Sequence, residues 1–122
     1  TTTPNEAGIS FVLPDPHSLW NGVAQRILVG VSRYGSVGTN LYVSTNAGAS
    51  FTAVAGSPSD LMPQRAVYDG AGNMFITYGN GAGPNGPIDR PSEPMDQGKI
   101  YKYSVSNGAM TNVTPAGINR TI

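Results

Sequence analysis

Short apolar runs with polar positions between them recur along the chain, separated by clusters of Gly, Pro and Asn. Residues 9–13 form the first run, closed by Pro14-Asp15-Pro16, and residues 27–31 the second, rich in β-branched side chains. Residues 41–44 and 51–54 follow. The series then begins again: 66–68 before an Asp69-Gly70 turn, 74–78, an alternating stretch at 100–105, and 110–113. β-Branched and aromatic residues suit a pleated, half-buried surface, and the clusters between them supply turns. No stretch places apolar residues at i, i+3, i+4 and i+7 behind a cap. The pattern therefore predicts about eight strands and almost no helix.

The runs fall into two sets of four. Tyr42 and Tyr101 are 59 positions apart, and Phe51-Thr52-Ala53-Val54 stands at the same offset from Met110-Thr111-Asn112-Val113. A four-stranded unit recurring every roughly 40–60 residues is the mark of a β-propeller blade. The expected architecture is all-β, about two four-stranded antiparallel blades, one over residues 1–60 and one over 61–122. Two halves of a β-sandwich would account for the strands but not for the offset. In an up-and-down blade, connections alternate between the two ends. Residues 14–25 and 44–50 then share one end. The long loop 79–98, the connection 55–64 and the loop around Arg33-Tyr34-Gly35 share the other.

Composition narrows the partners. Seven basic side chains balance seven acidic ones, and only 11% of residues are charged. That argues against nucleic acid, which needs clustered Lys and Arg, and against a polybasic membrane contact. No apolar run approaches the roughly 18 residues of a spanning helix. Cysteine is absent, which removes disulfides, thiolate metal ligands and a Cys nucleophile. Sixteen Gly and ten Pro disfavour long helices. The first residue is Thr1, with no charged segment leading into an apolar one, so a processed or interior piece of a longer protein is expected. Low charge, abundant Thr, Ser, Asn and Gly, and no Cys fit a secreted microbial protein. Asn112-Val113-Thr114 and Asn119-Arg120-Thr121 have the form of N-glycosylation acceptors.

One turn carries a recognisable pattern. Ser44-Thr45-Asn46-Ala47-Gly48-Ala49-Ser50-Phe51 resembles the Asp-box, or BNR motif, of sialidase-like propellers, Ser-x-Asp-x-Gly-x-Thr-Trp. Asn46 takes the Asp place, Ser50 the Thr place and Phe51 the Trp place. Asn46 can bond backbone N–H groups within the turn, Gly48 admits positive φ, Ser50 adds a hydroxyl, and Phe51 is expected to tuck under the hairpin. This role is structural, not catalytic. The second copy, residues 104–111, is degenerate and is expected to keep the hairpin without the box.

The resemblance extends further. The order of residues 27–31, 41–51, 61–63 (Leu61-Met62-Pro63), 74–84, 99–103 (Lys99-Ile100-Tyr101-Lys102-Tyr103) and 112–115 is similar to glycoside hydrolase family 74. Its most specific part is Tyr78-Gly79-Asn80-Gly81-Ala82-Gly83-Pro84 followed by the Tyr-Lys-Tyr strand. The family comprises xyloglucan-specific β-1,4-glucanases and xyloglucobiohydrolases built from two seven-bladed propellers. The resemblance implies a segment of the N-terminal propeller, lying between the two catalytic Asp residues of an inverting mechanism. Neither Asp motif is visible here, so no catalytic residue is expected in this segment, and the piece alone is expected to be inactive. Residues 87–96 depart from the shorter loop of the family.

Polysaccharide binding needs aromatic platforms and planar polar groups. Tyr34, Tyr78, Asn80, Asn85, Arg90 and Asp96 are the candidates at the long-loop end; packing in the core is the alternative for Tyr78, and a solvated loop for Arg90 and Asp96. Asp89, Glu93 and Asp96 match no Ca²⁺ loop spacing, so no metal is expected. No cofactor is expected either, since Gly79-Asn80-Gly81-Ala82-Gly83 lacks the Lys and helix of a phosphate loop. His17, the single histidine, and Trp20 fall in the opposite connection, His17 as a loop residue and Trp20 as a cover for the end of a blade. The expected partners are a polysaccharide such as xyloglucan and the remaining blades of a parent chain. A non-catalytic BNR-type segment that binds glycan or protein is the competing reading, and a self-contained β-sandwich binding module is a third.

Overall fold

The computed structural model describes residues 7–33, 40–79 and 97–117. The described residues form ten strands: β1 (Ala7–Pro14), β2 (Leu19–Trp20), β3 (Val23–Ala24), β4 (Ile27–Arg33), β5 (Leu41–Ser44), β6 (Thr52–Ala53), β7 (Met62–Tyr68), β8 (Asn73–Gly79), β9 (Gly98–Ser104) and β10 (Met110–Asn112). Eight of them build two four-stranded antiparallel sheets, in spatial order β1-β4-β5-β6 and β7-β8-β9-β10. Each is a meander. The described residues contain no helix.

Two elements differ from the sequence expectation. β2 and β3 form a two-stranded ribbon inside the connection from β1 to β4. Its turn is Asn21-Gly22, with φ of 50° and 78°, which suits the right-handed twist of a tight hairpin. β7 begins at Met62 rather than Ala66 and takes in Pro63. β7 is an edge strand of its sheet, where a missing N–H is tolerated.

The two sheets repeat one another in register. Tyr42 lies opposite Val29 and Ala53, and Tyr101 lies opposite Ile76 and Asn112. Val43 faces Thr52 as Lys102 faces Thr111, both pairs 59 positions apart. A β-bulge interrupts the first strand of each sheet at the same place. Ser10 is the extra residue between Ile9 and Phe11, and Gln64 is the extra residue between Pro63 and Arg65. Between the second strands the offset is only 47, as from Val29 to Ile76. The extra residues of the second copy therefore all lie in its β8–β9 connection.

One face of each sheet forms the shared core, with β7 packed on β1 and β4. From the first sheet come the cross-strand rows Leu13–Leu28–Val43 and Phe11–Gly30–Leu41, with Val54 beyond. From the second come Tyr68–Met74–Tyr103–Met110 and Ala66–Ile76–Tyr101. Leu28, Leu41, Met74 and Ile76 are fully buried, each side chain contributing about 1.5–3 kcal/mol of transfer free energy. Gly30 is required by packing. A Cβ there would come within 2.3 Å of the Phe11 ring and 2.8 Å of Ser10 Oγ. On the opposite faces some side chains are exposed, although Val29 of the first sheet is buried. On the first sheet Val12 is 58% exposed, and on the second Val67 is 62% exposed.

Candidate functional site

The long connection leaves the second sheet where β8 and β9 close on the pair Gly79–Gly98. The connection between β6 and β7 is fixed to the same end by a buried polar network. Asn40, buried just before β5, donates from Nδ2 to the carbonyls of Leu61 (2.6 Å) and Pro58 (3.0 Å). Its Oδ1 accepts from the Ser57 hydroxyl (3.0 Å), which also lies 2.8 Å from the Tyr78 hydroxyl. Every polar atom of the Asn40 side chain thus has a partner, as burial demands. Ser32 Oγ reaches the Pro63 carbonyl at 3.4 Å nearby.

Tyr78 is corrected by this arrangement. It is fully buried, its ring edge-to-face with Tyr101 at 5.5 Å and 73°, so it offers no platform to a sugar. The reason lies in β8 itself: Met74, Ile76 and Tyr78 share the inward parity of a strand. Burial pushes its hydroxyl pKa from 10.0 up to about 12, against the opposing hydrogen bond from Ser57. Tyr103 is also raised by burial. Tyr34, Asn80, Asn85, Arg90 and Asp96 lie outside the described residues, as do Asp89 and Glu93. Among the described residues no three His, Asp or Glu side chains converge to hold a metal.

At the other end, the turn joining β5 to β6 is held by side chains. Ser44 Oγ accepts from the N–H groups of Asn46 (3.2 Å) and Gly48 (2.8 Å) and donates to Asn46 Oδ1 (2.9 Å). Asn46 Oδ1 also accepts from Ser50 N–H (2.9 Å), and Asn46 Nδ2 donates to Ser50 Oγ (2.8 Å). Gly48 has φ of 90°, and Ala47, unexpectedly, 62°. Phe51 departs from expectation. Its ring lies 4.0 Å from where a Gly48 Cβ would stand, yet the residue is 43% exposed. The turn after β9 is simpler: Asn107 Oδ1 accepts from Ala109 N–H, and Gly108 N–H donates to the Ser104 carbonyl.

The β1–β4 connection shares this end, since Ala47 N–H donates to the Gln25 carbonyl at 3.0 Å. Asp15 is buried there, accepting from His17 N–H (2.9 Å) and pairing with Arg26 at 3.1 Å. His17 Nδ1 lies 3.0 Å from the Tyr68 hydroxyl, linking this connection to the second sheet. Trp20, expected to cover the end of a blade, stands on the ribbon with 68% of its surface exposed. In the β7–β8 turn Asp69 accepts from Ala71 N–H, Asn73 N–H and Asn73 Nδ2, which holds its carboxyl below the usual range. The Asn40–Ser57 network is the feature that sequence reasoning missed. No local motif announces it, because its partners lie far along the chain.

No protein-family model matches the chain. Against known proteins it is 36% identical over 109 residues to a xyloglucanase of Paenibacillus sp., a match covering 88% of this chain and 10% of that enzyme. Among solved structures, the GH74 enzyme of Niastella koreensis superposes with a TM-score of 0.75 at 37% identity. The GH74 xyloglucanase of Xanthomonas campestris superposes with a TM-score of 0.71 at 32% identity. Each of these two matches covers 92% of this chain and 15% of the other. The chain thus spans a small fraction, 10% to 15%, of the length of these relatives.

Proposed function

Since the chain belongs to glycoside hydrolase family 74, we propose that it is part of a secreted hydrolase that cleaves the β-1,4-glucan backbone of xyloglucan. The observation that carries this reading is the likeness to xyloglucanases over about nine-tenths of the chain, at matching fold. In this reading the sheets are two adjacent propeller blades, residues 1–60 and 61–122, and residues 44–51 are an Asp-box with Asn46 in the Asp place. The acid and base are two Asp residues outside these 122 positions. One protonates the glycosidic oxygen, and the other, its carboxyl roughly 6.5–9.5 Å from the first, activates a water on the opposite face of the sugar.

This segment supplies scaffold and cleft wall. The paired Gly79 and Gly98 plant the long loop at one end of the sheets, and the Asn40–Ser57–Tyr78 network stiffens its base. Asn80, Asn85, Arg90 and Asp96 on that loop, with Tyr34 from the neighbouring connection, are the proposed contacts to sugar hydroxyls and ring faces. The test is the longer polypeptide carrying this segment, assayed for reducing-end release on xyloglucan. Release is expected, and Arg90→Ala is expected to raise KM severalfold with kcat little changed. Binding to xyloglucan without release would instead favour a non-catalytic glycan-binding propeller.

A further inference from the structure

Two Asn-Gly pairs stand in described turns, Asn21-Gly22 between β2 and β3 and Asn107-Gly108 between β9 and β10. In such a pair no Cβ shields the glycine nitrogen from the preceding side-chain amide. The dipeptide is the same at both sites, but the restraints on it are not. At the second, Gly108 N–H donates to the Ser104 carbonyl at 2.7 Å, and Asn107 Oδ1 accepts from Ala109 N–H at 3.0 Å. Ser104 N–H closes the turn on the Ala109 carbonyl, and Val105 N–H ties it to the Gly72 carbonyl, both at 3.0 Å. The first turn has no such ties. A hairpin with two central residues closes by a bond from Val23 N–H to the Trp20 carbonyl, which leaves Gly22 N–H over. Among the described residues, neither Gly22 N–H nor the Asn21 side chain has a hydrogen-bond partner. The ribbon below the turn has only two residue pairs, Leu19–Ala24 and Trp20–Val23, and so short a ribbon opens easily.

We propose that Asn21 is a site of spontaneous deamidation, which converts it through a cyclic imide to Asp and isoaspartate, while the fold protects Asn107. The backbone at Asn21 is left-handed, with φ of 50°, and turns as the ribbon opens. The Gly22 nitrogen then attacks Asn21 Cγ. A bond forms between them, the Cγ–Nδ2 bond breaks, and ammonia leaves with the proton that the Gly22 nitrogen gives up. Water opens the ring. Cleavage at the Cγ carbonyl yields Asp, and cleavage at the main-chain carbonyl yields isoaspartate. No oxidant, reductant or second protein is needed, and the reaction is independent of any hydrolysis of polysaccharide. Both products place a carboxylate where a neutral amide stood. Isoaspartate also lengthens the main chain by a carbon between Trp20 and Gly22, so the Trp20–Val23 pair cannot close as before. At Asn107 the same attack requires two hydrogen bonds to break first, from Gly108 N–H and to Asn107 Oδ1. Two bonds of ordinary net strength slow the step by about thirtyfold.

The test uses the folded longer polypeptide that carries this segment, incubated at mildly alkaline pH beside a portion held in urea. Both are digested in acid, and the peptides containing Asn21 and Asn107 are followed by mass spectrometry, with Asp and isoaspartate separated by chromatography. In the folded protein the Asn21 peptide is expected to convert about thirtyfold faster than the Asn107 peptide. In urea, where neither turn persists, the two rates are expected to come together. Hydrogen exchange on the folded protein reads the restraint directly: Gly22 N–H is expected to exchange early and Gly108 N–H late. An Asn21 that stays intact in the fold while it converts in urea overturns the proposal. So does an Asn107 that converts as fast as Asn21 in the fold, or a Gly108 N–H that exchanges as early as that of Gly22. A gap between the two sites that is as wide in urea as in the fold also overturns it, because the difference would then belong to the flanking sequence.

Discussion

Ser44 and Asn46 show how few atoms set the β5–β6 turn. The Ser44 hydroxyl spends its one donor and both acceptor sites inside the turn, and Asn46 Oδ1 accepts twice. Asn46→Asp keeps that oxygen, and Ser50 can rotate its hydroxyl from acceptor to donor. The exchange should change stability by less than about 0.5 kcal/mol, the range of substitutions that break no buried contact. Asn46→Ala removes the bonds and should cost about 1–2 kcal/mol in denaturant unfolding. Ala47, at φ of 62°, carries the strain of a left-handed L-residue. Ala47→Gly should relieve about 1 kcal/mol of it, partly offset by the greater freedom of Gly in the unfolded chain. Tyr78 adds a pH dependence. Its folded pKa of about 12 stands above the ordinary tyrosine value of 10.0, so its contribution is whole below pH 10. It is lost as pH rises from 10 towards 12, because the unfolded chain ionises first. The loss should reach about 2–3 kcal/mol. Tyr78→Phe should flatten most of that slope, with Tyr103, raised by the same burial, keeping part.

At the scale of strands, much of the architecture is legible in the sequence. Alternation located the eight strands of the two sheets, and the offset between Tyr42 and Tyr101 anticipated that both would occupy the same register position. The ribbon was missed although Asn21-Gly22 signals a hairpin, since only two residues on each side pair and alternation needs more than that. The start of β7 was missed because Pro63 reads as a breaker, and its tolerance depends on an edge that only the assembled sheet defines. Tyr78 illustrates a subtler limit. Its polar hydroxyl and its place beside a Gly-rich loop suggest a ligand contact, while the parity it shares with Ile76 places it in the core. Parity prevails because a strand cannot rotate one side chain outward without its neighbours. Gly30 belongs to this scale too. It leaves room on β4 for the Phe11 ring of β1, as the 2.3 Å approach of a Cβ shows. Gly30→Ala should displace that ring and cost about 1–3 kcal/mol, read as a lowered denaturant midpoint with an unchanged m-value.

For the molecule as a whole, one buried amide adds a polar join to the apolar core that the two sheets share. Asn40 precedes β5 in the first sheet, while Pro58 and Leu61 belong to the connection leading into β7, and Ser57 passes the contact on to Tyr78 in the second sheet. Both hydrogens of Nδ2 point at carbonyl oxygens. Asn40→Asp keeps the shape and replaces this donor by an acceptor facing those two carbonyls in a buried site. A buried charge with the Ser57 hydroxyl as its donor and two carbonyl oxygens facing it is disfavoured far more than a missing contact. Asn40→Asp should therefore cost about 3 kcal/mol or more at neutral pH, and more than Asn40→Ala, although alanine removes more atoms. Lowering the pH until the introduced carboxyl protonates should recover part of the loss, because its O–H can again donate to one carbonyl. Urea unfolding of both variants at neutral and acid pH would show the order. If Asn40→Asp proved milder than Asn40→Ala at neutral pH, the amide would be acting as filler rather than as the donor that joins the two sheets.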